Sequence, residues 1–600
     1  MTWAQVTDPF DNIAFSAIVA FIPIAFIFWA LIIKKMKGYQ ASIIATVIAI
    51  VIAVVVYGMP AKLAILATGH GVLYGLFPIC WIVISAVFLF NITVKSGQFE
   101  IIKHFMASIT SDRRLQALLI AFSFGSFLEG TAGFGAPVAI TAAMLVGLGF
   151  NPLYAAGICL IANTAPVAFG AIGIPITVAS QVSGIPEMAI SQMVGRTLPI
   201  LSVMLPFYLV VLMAGFRKTA EVLPAILVSG ISFAVLQWFS SNFLGPALPD
   251  VIAGIGSILC LVTLLKLWKP KTIWRFKDEV APSLQTDLAY ASGQILRAWS
   301  PFILLTFVII AWGVQPIKDA LNSIGLVQFE IPGIHRVISD RNGNELPHIF
   351  KFNYLSAAGT AILISGIISI PLVGMKFGEG YKVFMATLQQ LKYPIITIAA
   401  VLGFAYIVNA SGITLTLAAA LANTGFLFPF FAPVLGWLGV FITGSDTSAN
   451  ALFAKLQHET ATAIGVDPVV TVAANVSGGV VGKMISPQSI AVAAAAGQLV
   501  GKESELFRFT VKHSFYMLTI ICLIVLSQAY WLKWIIPAYR MEVQKIQVMP
   551  DASLGFLYLG IFTLFLAAYA FTINSLGKKK FNKSQVVSSD NANSDRTQRL

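Results

Sequence analysis

Charged side chains are scarce in this 600-residue sequence: 10% of the residues are Asp, Glu, Lys or Arg, whereas 58% are hydrophobic. Soluble globular proteins carry about 25% charged and about 45–50% apolar residues. So few charges cannot cover the surface of a soluble protein of this length, which excludes that class. The composition predicts a chain that crosses a membrane several times.

Cysteine and histidine are also rare, with four and six copies. Cys80, Cys159, Cys260 and Cys522 lie in separate apolar runs without a CxxC spacing, so neither a disulfide framework nor a zinc site is expected. The histidines are scattered, and no HExxH, GxSxG or paired-aspartate motif is present. An intramembrane enzyme would need such a group of residues, so we expect neither an enzyme nor a cofactor.

Long apolar runs, in contrast, are frequent. About 20 helical residues cross a bilayer core of about 30 Å. Eleven runs meet this length, near 13–33, 41–57, 72–92, 192–216, 222–240, 250–268, 298–314, 354–374, 393–409, 514–532 and 553–573. Two further regions, 115–180 and 411–500, are apolar but rich in Gly, Pro, Ser, Thr and Asn. The sequence predicts an all-α polytopic membrane protein with about 11–13 transmembrane spans.

The basic residues indicate how the chain is oriented. The segment before the first run contains Asp8 and Asp11, and three lysines follow that run at positions 34–37. Because cytoplasmic loops are enriched in Lys and Arg, the N-terminus is predicted outside and the polar tail from 578 in the cytoplasm. This threading places 27 of the 38 basic residues in cytoplasmic loops. The net charge of +13 is therefore a topology signal and does not indicate a nucleic-acid partner.

Two regions combine short apolar runs with helix-breaking residues. Residues 115–127 are apolar for 13 positions, about 20 Å of helix, before the break LEGTAGFGAP at 128–137. Residues 430–441 are likewise followed by TGSDTSAN at 443–450. Each region is predicted to form a re-entrant hairpin. The predicted topology makes the first hairpin enter from the cytoplasm and the second from outside.

Each hairpin is followed by a helix that is also predicted to be broken. The breaks run through Gly170, Gly173 and Pro175 in the first helix and through Gly478, Gly479, Gly482 and Pro487 in the second. The interval from Asn163 to Pro175 is 12 residues, as is the interval from Asn475 to Pro487. The matched order predicts an inverted repeat, an architecture in which hairpins and broken helices enclose a substrate site near the membrane midplane.

Four stretches of these regions resemble the bacterial L-lactate permease family. They are FSFGSFLEGTAGFGAPVAI at 122–140, ANTAPVAFGAIGIPI at 162–176, GWLGVFITGSDTSANALF at 436–453 and NVSGGVVGKMISPQSIAVA at 475–493. The resemblance extends over roughly residues 1–575. It implies uptake of 2-hydroxy-monocarboxylates, lactate and sometimes glycolate, coupled to protons at the bacterial inner membrane, by elevator-like movement of a transport domain. The resemblance does not determine the preference among L-lactate, D-lactate and glycolate. It also does not determine whether the protein forms a homo-oligomer.

A sodium-coupled carboxylate transporter is the alternative, because carbonyl groups in the Ser-, Asn- and Thr-rich breaks could hold Na⁺.

The predicted organisation has six parts. They are the N-terminal scaffold spans 1–114, the first repeat core 115–216, scaffold spans 217–392 with a cytoplasmic loop 269–297 and an external loop 315–352, the second repeat core 393–532, an external segment and last span 533–577, and a disordered cytoplasmic tail 578–600. We expect the external loop to form a small cap.

Three charged residues at membrane depth are the main site candidates. Glu129 and Asp446 lie at the hairpin tips, where an ionised carboxylate is costly, and are predicted to carry the coupled proton. Lys483 is predicted either to bind the substrate carboxylate or to form an internal ion pair with Glu129 or Asp446. The other predicted substrate-binding residues are Gly130, Thr131, Asn163, Thr164, Thr443, Ser445, Thr447, Ser448, Asn450, Asn475, Ser477, Ser486 and Gln488. Each polar side chain among them could instead cap a helix or bridge two helices.

Overall fold

The structure is a computed structural model that describes residues 2–133, 135–276, 279, 290–340, 343–541 and 552–577. Within these ranges, twelve helices are long and apolar enough to cross a membrane, or thirteen when one bent pair is taken as a single span. The predicted all-α polytopic class and its span number are confirmed. The predicted tail from 578 lies outside the described residues.

The helices of the first half are, in chain order, α1 (Ile13–Phe28), α2 (Gly38–Val55), α3 (Ala61–Tyr74), α4 (Trp81–Lys95), α5 (Gln98–Ser108), α6 (Arg113–Gln116), α7 (Gly125–Thr131), α8 (Ala136–Gly147), α9 (Pro152–Ala162), α10 (Gly170–Ser183), α11 (Glu187–Ala220), α12 (Leu223–Phe243) and α13 (Pro249–Leu267). Three stretches continue adjoining helices with wider π-helical turns, Trp29–Ile33, Gly75–Cys80 and Ala117–Phe124.

The second half contains α14 (Ser292–Gly313), α15 (Gln315–Gly325), α16 (Ala358–Leu372), α17 (Phe377–Ser411), α18 (Ile413–Ala422), α19 (Phe428–Thr443), α20 (Asp446–Ala463), α21 (Pro468–Lys483), α22 (Pro487–Ala496), α23 (Glu503–Tyr530) and α24 (Ser553–Gly577). Short 3₁₀ turns lie at Val167–Phe169, Gly425–Leu427 and Lys533–Ile535. Of the eleven predicted runs, 354–374 forms a shorter helix than expected, α16.

Four short strands lie outside the helices. The N-terminal strand β1 (Trp3–Ala4) pairs in parallel with β3 (Ile338–Ser339). Strand β2 (Leu326–Glu330) pairs antiparallel with β4 (Ile349–Asn353), with Leu326 opposite Asn353. Together with α15, these strands give the predicted loop 315–352 a folded core that is attached to the N-terminus.

The burial of the helices shows which of them form the centre of the molecule. The apolar stretch of Pro468–Ala496 is 100% buried, whereas that of Ser553–Leu576 is 6% buried. In a bilayer, helices pair their backbone groups internally, so an apolar helix with little protein cover suits the lipid-facing periphery. The α21–α22 region is therefore central, and α24 lies at the edge.

The helix before the first predicted hairpin tip is longer than expected. α6, the π-helical turns and α7 form one helical stretch from Arg113 to Thr131 instead of 115–127. Gly133 and Gly135 then have φ values of +57° and +83°, and α8 begins at Ala136. The predicted break lies at the right place but is shorter, because residues 128–131 remain helical.

The first predicted broken helix is confirmed. The α9 helix and the segment Val167–Ser183 meet at an angle of 63°. Within the break, Ala171, Ile172 and Gly173 have left-handed φ values of 46°, 60° and 75°. Carbonyl and N–H groups near this break are consequently available to side chains from other helices.

The breaks of the second half are narrower than predicted. Between α19 and α20, only Gly444 and Ser445 leave the helical path, instead of 443–450. The α21 helix continues through Gly478, Gly479 and Gly482, and the chain is non-helical only at 484–486. The prediction that these three glycines break the helix is therefore wrong.

Close packing explains why α21 contains glycines. A Cβ atom on Gly478 would lie 1.9 Å from the Pro433 carbonyl oxygen, and one on Gly482 would lie 2.4 Å from that of Trp437. Both carbonyls belong to α19, so the glycines let two helix backbones touch, as small residues often do in membrane proteins.

Candidate functional site

One buried ion pair connects the two halves of the chain. Lys483 Nζ lies 2.5 Å from Glu129 Oε1, and the two residues are 8% and 2% exposed. Glu129 belongs to α7, and Lys483 is the last residue of α21. Of the alternatives that the sequence left open for Lys483, the internal ion pair with Glu129 is present in the structure.

The position of Lys483 favours its charge. The C-terminal end of a helix carries partial negative charge, and the Lys483 ammonium lies at the end of α21. The chain then turns, and Ser486 starts α22 by accepting a hydrogen bond from the Ser489 backbone N–H at 3.2 Å. Two helix ends consequently meet beside one buried cation.

Asp446 is a second buried carboxylate at this place. It is the first residue of α20, 4% exposed, and neither of its carboxylate oxygens has a hydrogen-bond partner within the described residues. A Cβ atom on Gly479 would lie 2.0 Å from Asp446 Oδ1, so the backbone of α21 packs directly against the carboxylate. Asp446 also lies within electrostatic range of Lys483 and Glu129.

A cavity of about 60 Å³ lies between these groups. Residues from both predicted repeats line it: Glu129, Gly133, Gly135, Val167, Gly170, Ala171 and Pro175 from the first, and Gly444, Ser445, Asp446, Thr447, Lys483, Gln488, Ser489 and Val492 from the second. About 10–15 Å³ of such volume holds one water, so the cavity has room for a few waters.

The predicted site residues divide into two groups. Those that line the cavity are Glu129, Ser445, Asp446, Thr447, Lys483 and Gln488. Those that do not line it are Gly130, Thr131, Asn163, Thr164, Thr443, Ser448, Asn450, Asn475, Ser477 and Ser486. The contacts of this second group differ from one residue to the next.

Two asparagines of the second group connect the predicted repeats. Asn475 Nδ2 donates to Asn450 Oδ1 at 2.8 Å, and Asn450 Nδ2 donates to the Pro175 carbonyl at 3.3 Å. Gln457 Nε2 also donates to Asn475 Oδ1 at 3.2 Å. The network joins α20 and α21 to Pro175, which follows the break in α10. Because Pro175 also lines the cavity, the network supports the cavity wall.

Hydroxyl groups of the second group make local contacts. Thr443 Oγ1 donates to the Gly439 carbonyl at 2.7 Å, and Thr131 Oγ1 donates to that of Phe127 at 3.1 Å. The Ser448 backbone N–H donates to Ser445 Oγ at 3.3 Å, which caps α20. Thr131 and Thr443 therefore bond their own helices, and Ser445 caps α20, as the sequence allowed in the alternative.

Three other predicted residues are buried without a side-chain partner. The side-chain polar atoms of Asn163, Thr164 and Ser477 make no hydrogen bond within the described ranges. Buried polar groups are costly unless they are satisfied. These positions are therefore suited to bind water or a small polar ligand.

One residue beside the site was missed by sequence reasoning. Asp250 is 1% exposed and lies within electrostatic range of Glu129 and Lys483. Its only sequence signal is an acidic residue at the beginning of the apolar run 250–268, where membrane helices commonly carry polar residues.

Comparisons with known proteins identify the family. The family model described as L-lactate permease matches residues 16–532. The chain is 56% identical to the L-lactate permease of Bacillus subtilis (strain 168) over 563 residues, 90% of this chain and 100% of the relative. It is 51% identical to the L-lactate permease of Escherichia coli K12 over 548 residues, 89% of this chain and 100% of that protein. It is also 51% identical to the glycolate permease GlcA of Escherichia coli K12 over 556 residues, 88% and 98% of the two chains. This chain belongs to the L-lactate permease family.

Proposed function

We propose that this protein takes up lactate, and also glycolate, across the bacterial plasma membrane together with protons. The relatives named lactate and glycolate permeases support the substrate class. The observation that carries the mechanism is the buried Glu129–Lys483 pair at a cavity between the two predicted repeats.

Competition for Lys483 provides the coupling. A substrate carboxylate and the Glu129 carboxylate are both anions that can pair with the same ammonium group. When the substrate displaces Glu129, an isolated carboxylate remains in a low-dielectric interior, which costs several kcal/mol. Glu129 avoids this cost by binding a proton. One anion and one proton then cross together, and transport is electroneutral.

The polar lining of the cavity suits a 2-hydroxy acid. Ser445, Thr447 and Gln488 supply hydroxyl and amide groups that can hydrogen-bond the substrate carboxylate and its 2-hydroxyl. The N-terminus of α20 also directs partial positive charge towards the cavity. Asp446 is proposed as a further proton-binding carboxyl, because among the described residues no cation forms an ion pair with it.

Alternating access completes the proposal. We propose the orientation that the charge pattern indicates, with the N-terminus outside and the C-terminus in the cytoplasm. The two regions 115–147 and 428–463 act as hairpins that enter from opposite sides. Separation of the cavity walls, in turn towards each side, admits and releases the substrate.

The test uses purified full-length protein in lipid vesicles with labelled L-lactate. An inward proton gradient should drive accumulation above equilibrium, an uncoupler should abolish it, and exchange of sodium for potassium should have no effect. Accumulation that follows the sodium gradient instead would support the sodium-coupled alternative. Uptake that only reaches equilibrium under every gradient would indicate a passive channel and contradict the proposal.

A further inference from the structure

Asp250 is a buried carboxyl of α13 that lies beside the site but outside the two predicted repeat cores. It is the second residue of that helix, 1% exposed, and neither carboxylate oxygen has a hydrogen-bond partner among the described residues. A Cβ atom on Gly130 would lie 2.7 Å from the Asp250 Cβ. Asp250 therefore packs directly against the backbone next to Glu129.

Charged groups lie close to the Asp250 carboxyl. Its charged electrostatic partners are Glu129 on α7 and Lys483 on α21, while the neutral Gln237 faces it from α12. Lys483 is already paired with Glu129. An ionised Asp250 would add a second carboxylate to one ammonium in a low-dielectric interior, which is unfavourable. A protonated Asp250 would avoid this cost while Glu129 is paired with Lys483.

Asp250 is also connected to the first broken helix. Gln237, which lies beside the Asp250 carboxyl, donates from Nε2 to the Ala165 carbonyl at 3.0 Å. Ala165 lies in the break between α9 and α10. Gln237 therefore contacts the break and also lies beside Asp250.

We propose that Asp250 supplies the proton that Glu129 binds when substrate takes its place on Lys483, an inference that rests on the proposed function. The Asp250 O–H bond breaks and a Glu129 O–H bond forms. The Asp250 carboxylate left behind lies in the first turn of α13, where the helix dipole stabilises negative charge. A proton from the aqueous phase then restores the Asp250 O–H bond, so the cycle consumes one external proton per substrate anion.

The experiment compares Asp250→Asn, Asp250→Glu and a matched control in lipid vesicles. The control is Asp467→Asn, because Asp467 caps α21 through Val469 N–H and asparagine can make the same bond. Two rates are measured for each: accumulation of labelled lactate driven by a pH gradient, and exchange of internal for external lactate at equal pH. Exchange requires substrate binding and movement of the intact fold but no net proton transfer.

Asp250→Asn should lose pH-driven accumulation by about 100-fold, in the range of a positioned proton-transfer group, while exchange stays within about twofold. Asp250→Glu should recover accumulation, and Asp467→Asn should match the wild type. Normal pH-driven accumulation by Asp250→Asn would overturn the inference. Loss of exchange in both Asp250 variants would assign the residue a structural role and overturn it as well. Failure of the wild type to accumulate lactate would instead refute the proposed function.

Discussion

The Lys483 ammonium and the Glu129 carboxylate lie 2.5 Å apart, although 354 positions separate them in the chain. Glu129 Oε2 has no hydrogen-bond partner among the residues that the structure describes. The carboxylate is thus held through one oxygen by one cation. A ligand that binds Lys483 has a single ionic contact to replace, which makes the pair well suited to exchange.

Replacement of Glu129 by glutamine should separate substrate movement from proton movement. The amide cannot bind the coupled proton, but it retains the size of the side chain. We expect pH-driven lactate accumulation to fall by about 100-fold while exchange of internal for external lactate continues. Glu505→Gln, an exposed acid in the first turn of α23, is the control. Normal pH-driven accumulation by Glu129→Gln would show that coupling uses another group.

Removal of the Lys483 charge should destabilise the protein, because its partner Glu129 loses its cation. Lys483→Met leaves the Glu129 carboxylate buried without a cation, and breaking a buried pair from one side costs about 3–5 kcal/mol. The double variant Lys483→Met/Glu129→Gln removes both charges and should recover most of that loss, without recovering transport. Thermal unfolding of the four proteins gives the coupling energy. Additive losses in the double variant would contradict a direct interaction.

A methyl group at Gly478 should disturb the contact between α19 and α21. The added Cβ would lie 1.9 Å from the Pro433 carbonyl oxygen, and overpacking of this kind costs about 1–3 kcal/mol. Gly560→Ala is the matched control, because no atom from another part of the described structure lies within 4 Å of a Cβ at that position in α24. Thermal unfolding should show a lower melting temperature for Gly478→Ala only. Equal melting temperatures would show that the helices separate easily.

Glu221, just after α11, should give the protein a pH-dependent stability. A hydrogen bond from Lys218, and a second one from Arg114 with a smaller effect, lower the pKa of this carboxyl from 4.5 to about 2. Because its pKa is lowered, the ionised Glu221 carboxylate stabilises the fold at pH values above its ordinary pKa of 4.5. This stabilisation is lost as the pH falls towards 2. Glu221→Gln should therefore melt below the wild type at pH 7, and the difference should shrink below about pH 4.5. A difference that does not change with pH would contradict this role.

The all-α membrane class could be predicted because it depends on composition and on the length of the apolar runs. The thickness of the bilayer sets that length. The location of the first broken helix could also be predicted, since Gly173 adopts the left-handed φ of 75° that glycine permits. Gly478 carries the same sequence signal but lies inside a regular helix. Whether glycine breaks a helix or packs against one depends on the partner backbone, which the local sequence does not contain.

The sequence predicts which charged residues form the site, but it does not predict which carboxylate pairs with Lys483. Glu129 and Lys483 were recognised because buried charges are costly, yet two carboxylates were equally eligible partners for the lysine. Asp250 was missed because it begins an ordinary apolar run, where an acid usually faces water. Only the packing of α13 against Gly130 brings it to the site.

The glycine contacts between α19 and α21 also limit how the second half can deform. Contacts between two backbones leave no flexible side chains to rearrange, so sliding of one helix along the other would force side chains into carbonyl groups. The two helices should therefore move as one rigid unit. Between α19 and α22, bending can then occur at the non-helical residues 444–445, 464–467 and 484–486. Because the first and last of these border Asp446 and Lys483, bending there acts directly on the charged groups of the cavity.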